Sequence, residues 1–299
     1  MAEIQPIGEE RVPEVCAFLH RHLNARIPEA GWRRALLNGW DPEPPHHGFC
    51  LMDGHRLVGV VAVIFSRREI GGREVRLCNP TGWVVLPEYR AQAVQLFWSV
   101  YAQPGVEYLV TSHMPLGARL LALWKFRPIP GCYWVTPNLP RPASGRVETQ
   151  PEALESLLPE PLLTHYRRHR PFGWLRHAVV TFTPPATSGE KREGGEKRRA
   201  LEVLYVIYRT RRWKRAPSVE VLYVSDGGLY LRGAARLARH FLLREGCLVT
   251  RVEQRFLPER PALALEERTA TPRAFCKSSL SDAELSNLYT EVLALDIEV

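Results

Sequence analysis

Apolar positions along the chain follow two spacings. Between Glu9 and Leu23, Val12, Val15, Cys16 and Leu19 recur every three to four residues, which predicts an amphipathic helix. Residues 33–37 predict a second short helix, and residues 3–7 a short strand that Pro6 confines to a sheet edge. GWDPEPPHHG, residues 39–48, reads as a proline-rich loop. The pattern then changes. Phe49–Met52 and Leu57–Phe65 are strand-like runs joined by a tight Asp53-Gly54 turn. Gly71-Gly72 marks another turn, and Glu74–Val85 is a further strand with a bulge expected around Asn79, Pro80 and Gly82. After Pro87, a residue favoured at a first helical position, Ala93, Leu96, Phe97 and Val100 mark one apolar helix face. Tyr108–Thr111 is predicted as a strand, Leu116–Trp124 as a helix and Cys132–Val135 as the strand that closes the unit.

TPNLPRPASG, residues 136–145, has the composition of a linker and divides the chain into domains 1–138 and 139–299. The second half partly repeats the first. Residues 152–166 read as a helix, Ala178–Thr183 as a strand, and 184–199 as a mobile low-complexity loop. Leu201–Tyr208 and Val219–Val224 follow as strands, Gly233–Arg244 as a helix and Cys247–Arg251 as a strand. A last helix is predicted from the Ser281/Glu284 capping-box spacing and the stripe Leu285, Leu288, Tyr289 and Val292. Helices alternating with strands in this order imply an α/β (α+β) fold with a mixed central sheet, flanked by helices, in each of two tandem domains.

Composition narrows the class. With 45 % hydrophobic residues, the 299-residue chain can build sizeable cores. No window approaches the roughly 20 apolar residues of a membrane span, and the polar N-terminus lacks an apolar signal core, so a cytoplasmic protein with no membrane partner is expected. The six cysteines form no CxxC pair, and His46-His47 with Asp41 and Glu43 define no ligand geometry, so no metal site is expected. A net charge of +8 suits an anionic partner, but no nucleic-acid-binding module accompanies it, which disfavours nucleic acid.

Two stretches carry a specific resemblance: WVVLPEYRAQAVQLF and, one strand later, LGARLLALWKFRPI. They resemble the acyl-CoA N-acyltransferase domain of the GNAT superfamily, and the second half resembles a weaker copy without a clear pyrophosphate loop. The resemblance implies a tandem GNAT-like fold and an acetyl-CoA or other acyl-CoA cofactor. That cofactor would be held by Val84 and Val85 on the strand and by Arg90, Ala91, Gln92, Ala93, Val94 and Gln95 at the helix entrance. Helix starts suit phosphates because their backbone N–H groups lack intrahelical partners and the peptide dipoles align. The family's glycines are replaced here by Ala91, Ala93 and Gln95, and Leu121 stands where many members carry an acidic tyrosine.

The resemblance further points to His113, after the YLVTS strand, as a proton-transfer residue, with Glu74 on the preceding strand and Tyr133 as further catalytic candidates. The expected reaction is direct acyl transfer to an amine on a small molecule or peptide. A non-catalytic acyl-CoA-binding or protein-interaction module is the alternative, followed by a nucleic-acid-binding protein. The sequence leaves monomer and homodimer equally open.

Overall fold

The structure is a computed structural model that describes residues 2–113, 115–142, 145–182 and 201–297. Two compact units emerge: Met1–Gly131 with Thr269–Val299, and Cys132–Arg268. The expected boundary at 138/139 thus falls a few residues late, and the C-terminal segment expected with the second domain belongs to the first unit. The expected loop at 184–199 lies outside the described residues.

The first unit contains strands β1 (Glu3–Pro6), β2 (Gly48–Asp53), β3 (Arg56–Ile70), β4 (Arg73–Val85), β5 (Glu107–Val110) and β6 (Arg127–Ile129). Its helices are α1 (Val12–His22), α2 (Glu29–Leu36), α3 (Ala93–Tyr101) and α4 (Pro115–Leu123). The second unit contains β7 (Cys132–Pro137), β8 (Arg146–Glu148), α5 (Pro151–Leu157), α6 (Leu162–His169), β9 (Arg176–Phe182), β10 (Glu202–Trp213), β11 (Ala216–Val224), α7 (Gly227–Glu245), β12 (Val249–Glu253) and β13 (Leu265–Arg268). The chain then returns to the first unit with β14 (Ala274–Lys277) and the single-turn helix α8 (Glu291–Ala294).

Each unit is built on a seven-stranded mixed sheet, ordered β1-β2-β3-β4-β5-β14-β6 in the first and β8-β9-β10-β11-β12-β7-β13 in the second. The two orders repeat one plan: an antiparallel meander, one parallel pair bridged by a helix (β4–β5 and β11–β12), then two antiparallel strands. The sixth place is filled out of sequence in both. β7, expected to close the first unit, pairs instead with β12 and β13 of the second. β14 fills the matching place between β5 and β6. The core of the first unit lies under α3 and α4, where Leu96, Phe97, Val100 and Tyr101 meet Val61, Val63 and Phe65 of β3.

Local chemistry explains the other departures. The expected helix over 152–166 breaks into α5 and α6 because Pro159 and Pro161 withdraw backbone donors between them. At the chain's end only half of the expected capping box forms: Glu284 accepts from Ser281 N at 2.9 Å, but Ser281 Oγ donates to the same carboxylate at 2.6 Å and Glu284 N donates to Ser281 O, and no helix propagates from it. Leu285, Leu288, Tyr289 and Val292 are all buried regardless, and Tyr289 adopts a left-handed φ of 58° that an α-helix cannot contain. The bulge in β4 sits at Gly82: Val61 pairs with Trp83 and Ala62 with Thr81, leaving Gly82 as the extra residue, at φ +59°.

Candidate functional site

β4 and β5 run parallel but pair only at Leu77–Glu107 and Cys78–Tyr108. The next residue, Asn79, turns its side chain toward β5 and donates Nδ2–H to Leu109 O at 2.6 Å and to Thr111 Oγ1 at 3.2 Å. A side chain thereby takes the place of a ladder bond, and the strands separate. Beyond this fork β4 continues to Val85 paired with β3 alone, so its other edge faces a gap.

That gap is a slot of about 210 Å³. One wall is the bulged run Pro80, Thr81, Gly82 and Trp83; the other is Val110, Ser112 and His113, with Gly117 and Leu121 of α4 and Phe97 of α3 closing the side. The bulge aims Trp83 into it. The indole stacks on Phe97 with centroids 4.2 Å apart, and its Nε1–H is enclosed without a hydrogen-bond partner. The slot is mostly apolar and lies along the free strand edge of β4.

The helix entrance differs from the expectation. Residues Pro87–Gln92 form a 3₁₀ turn, and α3 starts only at Ala93. Pro87 has no N–H, Tyr89 donates its own to Leu86 O at 2.9 Å, and Glu88 puts a carboxylate in the first turn, so little of an anion cradle is left there. Of the predicted cofactor residues, Val84 and Val85 lie half-buried on the free edge of β4. Arg90, Ala91, Val94 and Gln95 are exposed, Ala93 is half-buried, and Gln92 is committed to Ala2 O at 2.9 Å. Gln95 therefore does not enter the slot; Trp83 does.

Of the predicted catalytic residues, His113 lines the slot. Its Nε2 lies 3.1 Å from Pro272 O and its ring meets Phe275 edge-on at 5.0 Å. A carbonyl partner requires the proton on Nε2. Glu74 is not brought to the slot: it is exposed in the paired half of β4, opposite Glu69. Tyr133 belongs to the second unit, where Arg251 covers its ring at 3.6 Å. Cys78, just before the fork, is fully buried and burial alone pushes its thiol well up, against use as a nucleophile. Asp41 is held between Arg67 and Arg76 at 2.9 and 2.8 Å, and among the described residues no group of three or more metal-ligating side chains forms.

The strongest feature at the fork was not predicted. Glu291, the first residue of α8, is wholly buried where β4 and β5 part. Its backbone N–H donates to Asn79 Oδ1 at 2.6 Å, and its Oε1 accepts the Thr111 hydroxyl at 2.8 Å. Burial raises the carboxyl above its ordinary value, against the opposing pull of the Thr81, Thr111 and Ser112 hydroxyls and the Ser112 N–H beside it. Oε2 makes no aligned hydrogen bond. Sequence reading missed Glu291 because it sits far along the chain, inside what reads as an apolar helical stripe. An isolated acid amid buried Val292, Leu293 and Ala294 is the one signal present.

A larger hollow of about 490 Å³ lies elsewhere in the first unit, bordered by Glu14, Arg21, Arg56 and Glu88. It is open, and its charges have both signs, with Arg56 and Glu88 paired at 3.6 Å; the fork, with its enclosed polar groups, is the better site despite its smaller volume. In the second unit the equivalent fork is shorter and capped. β11 and β12 pair over four residues, from Ser218–Val249 to Val221–Val252. Asp226 then accepts from Leu229 N at 2.8 Å, filling the start of α7 with the protein's own carboxylate.

Comparison with known proteins gives no matching family model and no matching curated protein. Solved structures do match. A GCN5-related N-acetyltransferase from Anabaena variabilis is 11% identical with a TM-score of 0.58, over 93% of this chain and 72% of that one. A conserved protein of unknown function from Enterococcus faecalis matches with the same figures. Eis1 from Mycobacterium abscessus is 15% identical with a TM-score of 0.52, over 93% of this chain and 73% of that one. At such identities the likeness establishes the fold: this chain folds like GNAT acetyltransferases, across both units.

Proposed function

We propose that the first unit binds an acyl-CoA, acetyl-CoA or a longer homologue, in the β4/β5 slot and transfers its acyl group directly to an amine. The observation that carries this reading is the fork itself. β4 leaves its pair at Asn79 and presents an unpaired edge, from Pro80 to Trp83, to a slot that we take to receive the pantetheine arm. The bound thioester supplies the activated acyl carbon. Strand-edge N–H groups orient and polarise its carbonyl. His113 Nδ1 accepts a hydrogen bond from the incoming amine, and exposed Arg90 meets the phosphates in place of the missing glycine cradle. Glu74 has no part in this reading.

Entry of the chain requires the Trp83 indole to leave Phe97, which frees its Nε1–H to meet a pantetheine or thioester carbonyl. The same stack favours one rival, a non-catalytic acyl-CoA-binding module in which the ring closes the acceptor side. Calorimetry of the full chain with CoA, acetyl-CoA and longer acyl-CoAs tests binding, and thiol release in the presence of a panel of amines and amino-terminal peptides tests transfer. Failure of folded protein to bind any of them refutes the proposal. Binding without thiol release to any amine favours the rival.

A further inference from the structure

We infer that Glu291 is the proton acceptor of the slot, reached from it through the hydroxyls of Thr81 and Ser112. The inference rests on the acyl-transfer reading above and adds to it the residue that removes the amine's proton.

Two side chains belong to both places. Thr81 and Ser112 line the slot, one from each diverging strand, and both lie beside the Glu291 carboxyl. Behind them Oε1 is engaged by Thr111 at 2.8 Å, while Oε2 is enclosed and makes no aligned bond. An isolated buried carboxylate oxygen costs several kcal/mol unless it binds a proton or a donor. A hydroxyl between slot and carboxyl can accept a proton on one side as it gives one up on the other.

The surroundings leave this carboxyl free to exchange a proton. β4 offers it only the uncharged Asn79 and Thr81, and the end of β5 only Thr111 and Ser112, with His113 committed to Pro272 through Nε2. On the segment before β14, the Arg273 guanidinium spends Nη1 on Thr111 O at 3.1 Å. α3 contributes the phenol of Tyr101, which burial, first of all, keeps protonated. α2, which also meets α8, keeps Glu29, Arg33 and Arg34 on its exposed side and turns Trp32, Ala35 and Leu36 inward. Among the described residues no charge-paired partner holds the carboxylate ionised, and burial raises it above the ordinary carboxyl value, the direction that favours taking up a proton.

The step balances as follows. The amine nitrogen bonds to the acyl carbon as the C–S bond breaks. One N–H proton passes to the hydroxyl of Thr81 or Ser112, whose own proton passes to Oε2. The sulfur leaves with the bonding pair as a thiolate and takes a proton from solvent.

The test uses the full chain with glutamate labelled at the side-chain carboxyl carbon. Carbon NMR follows the carboxyl titrations from pH 4 to 9, and Glu291→Gln identifies the resonance. The expected result is one resonance, missing in that variant, that titrates above the ordinary glutamate value and moves higher when CoA fills the slot and expels its water. In Thr81→Val/Ser112→Ala the response to CoA is lost while the resonance persists. Should Glu291→Gln fail to fold, that double variant identifies the resonance instead, as the one whose response disappears. Titration at the ordinary value, absence of titration, or a resonance indifferent to bound CoA overturns the inference. Calorimetry on the same samples separates the two readings: no CoA binding removes the acyl-CoA reading and this inference with it, whereas CoA binding beside an indifferent Glu291 removes only the inference.

Discussion

Gly117 offers a direct test of the slot. It lies in the first turns of α4, on the slot wall, without a left-handed φ, and a Cβ placed on it meets only Trp83 Cζ3 at 3.9 Å, an ordinary contact. Nothing about the backbone requires glycine there. Replacing it with leucine gains up to about 1 kcal/mol of helix propensity, so Gly117→Leu should fold and melt at or slightly above the parent temperature. The added side chain brings four carbons into the slot. At roughly 30 Å³ apiece, the liquid share of a water-sized group, they occupy about half of the 210 Å³ available. Forcing a ligand past that bulk costs about 1–3 kcal/mol, or about 5- to 150-fold in Kd. Isothermal calorimetry with acetyl-CoA, next to a thermal melt, reads both effects. A folded Gly117→Leu protein that binds acetyl-CoA as tightly as the parent would refute the placement of the acyl-CoA in the β4/β5 slot.

Three further predictions concern stability. In the second unit His177 donates or accepts at Tyr205 Oη at 2.8 Å, its Nε2 is enclosed without a partner, and burial lowers its pKa from 6.5 to about 4. The unfolded chain therefore takes up this proton first, so stability is full above about pH 6.5 and declines as pH falls toward 4, by about 3 kcal/mol in all; urea midpoints across that window should fall in the parent and less steeply in His177→Phe. Gly82→Ala puts a side chain at φ +59° with its Cβ 3.0 Å from Leu19 Cδ2 and should cost about 1–2 kcal/mol, read as a lower Tm. Asp226→Ala removes the cap of α7 and should cost about 1 kcal/mol, most of it recovered in Asp226→Asn, with acetyl-CoA affinity unchanged in both.

Periodic elements were legible in the sequence wherever local pattern and local bonding agree. The β2–β3 hairpin at Asp53-Gly54, the bulge near Gly82 and the apolar face of α3 are read directly from residue types, because each feature is decided within a few positions. The strand exchange was not legible. β7 and β14 occupy corresponding places in the two sheets, and a short apolar strand carries no mark of which sheet it will join. The failed terminal helix has the same origin: Leu285 and Leu288 are buried as the stripe requires, but by tertiary packing of an irregular segment. Among the candidate residues, His113 lines the slot, as its place after a strand end leads one to expect of its position. Gln95, expected at the cofactor, turned out to face solvent because the 3₁₀ turn over Pro87–Gln92 delays α3 and resets its phase. Glu291 escaped because its meaning depends on a contact with Asn79, 212 positions away.

The two units differ at their forks. Both set two parallel strands side by side and follow the first with a helix. In the second unit the strands stay paired longer, and the turn into α7 is sealed from within: Asp226 satisfies the helix start, and a Cβ on Gly227 would lie 2.5 Å from Phe256 O. That glycine is needed for packing, and the carboxylate beside it would repel a phosphate. In the first unit the ladder stops after two pairs, and the polar groups it releases are answered by Asn79, Thr111 and Glu291. An acid buried at the fork is expensive to keep. If the fork served packing alone, an apolar side chain in place of Glu291 and smaller neighbours in place of Thr81 and Ser112 would be the more stable solution. Under the proposed acyl transfer, proton transfer accounts for an enclosed carboxyl with one oxygen lacking an aligned donor at the point where the strands open.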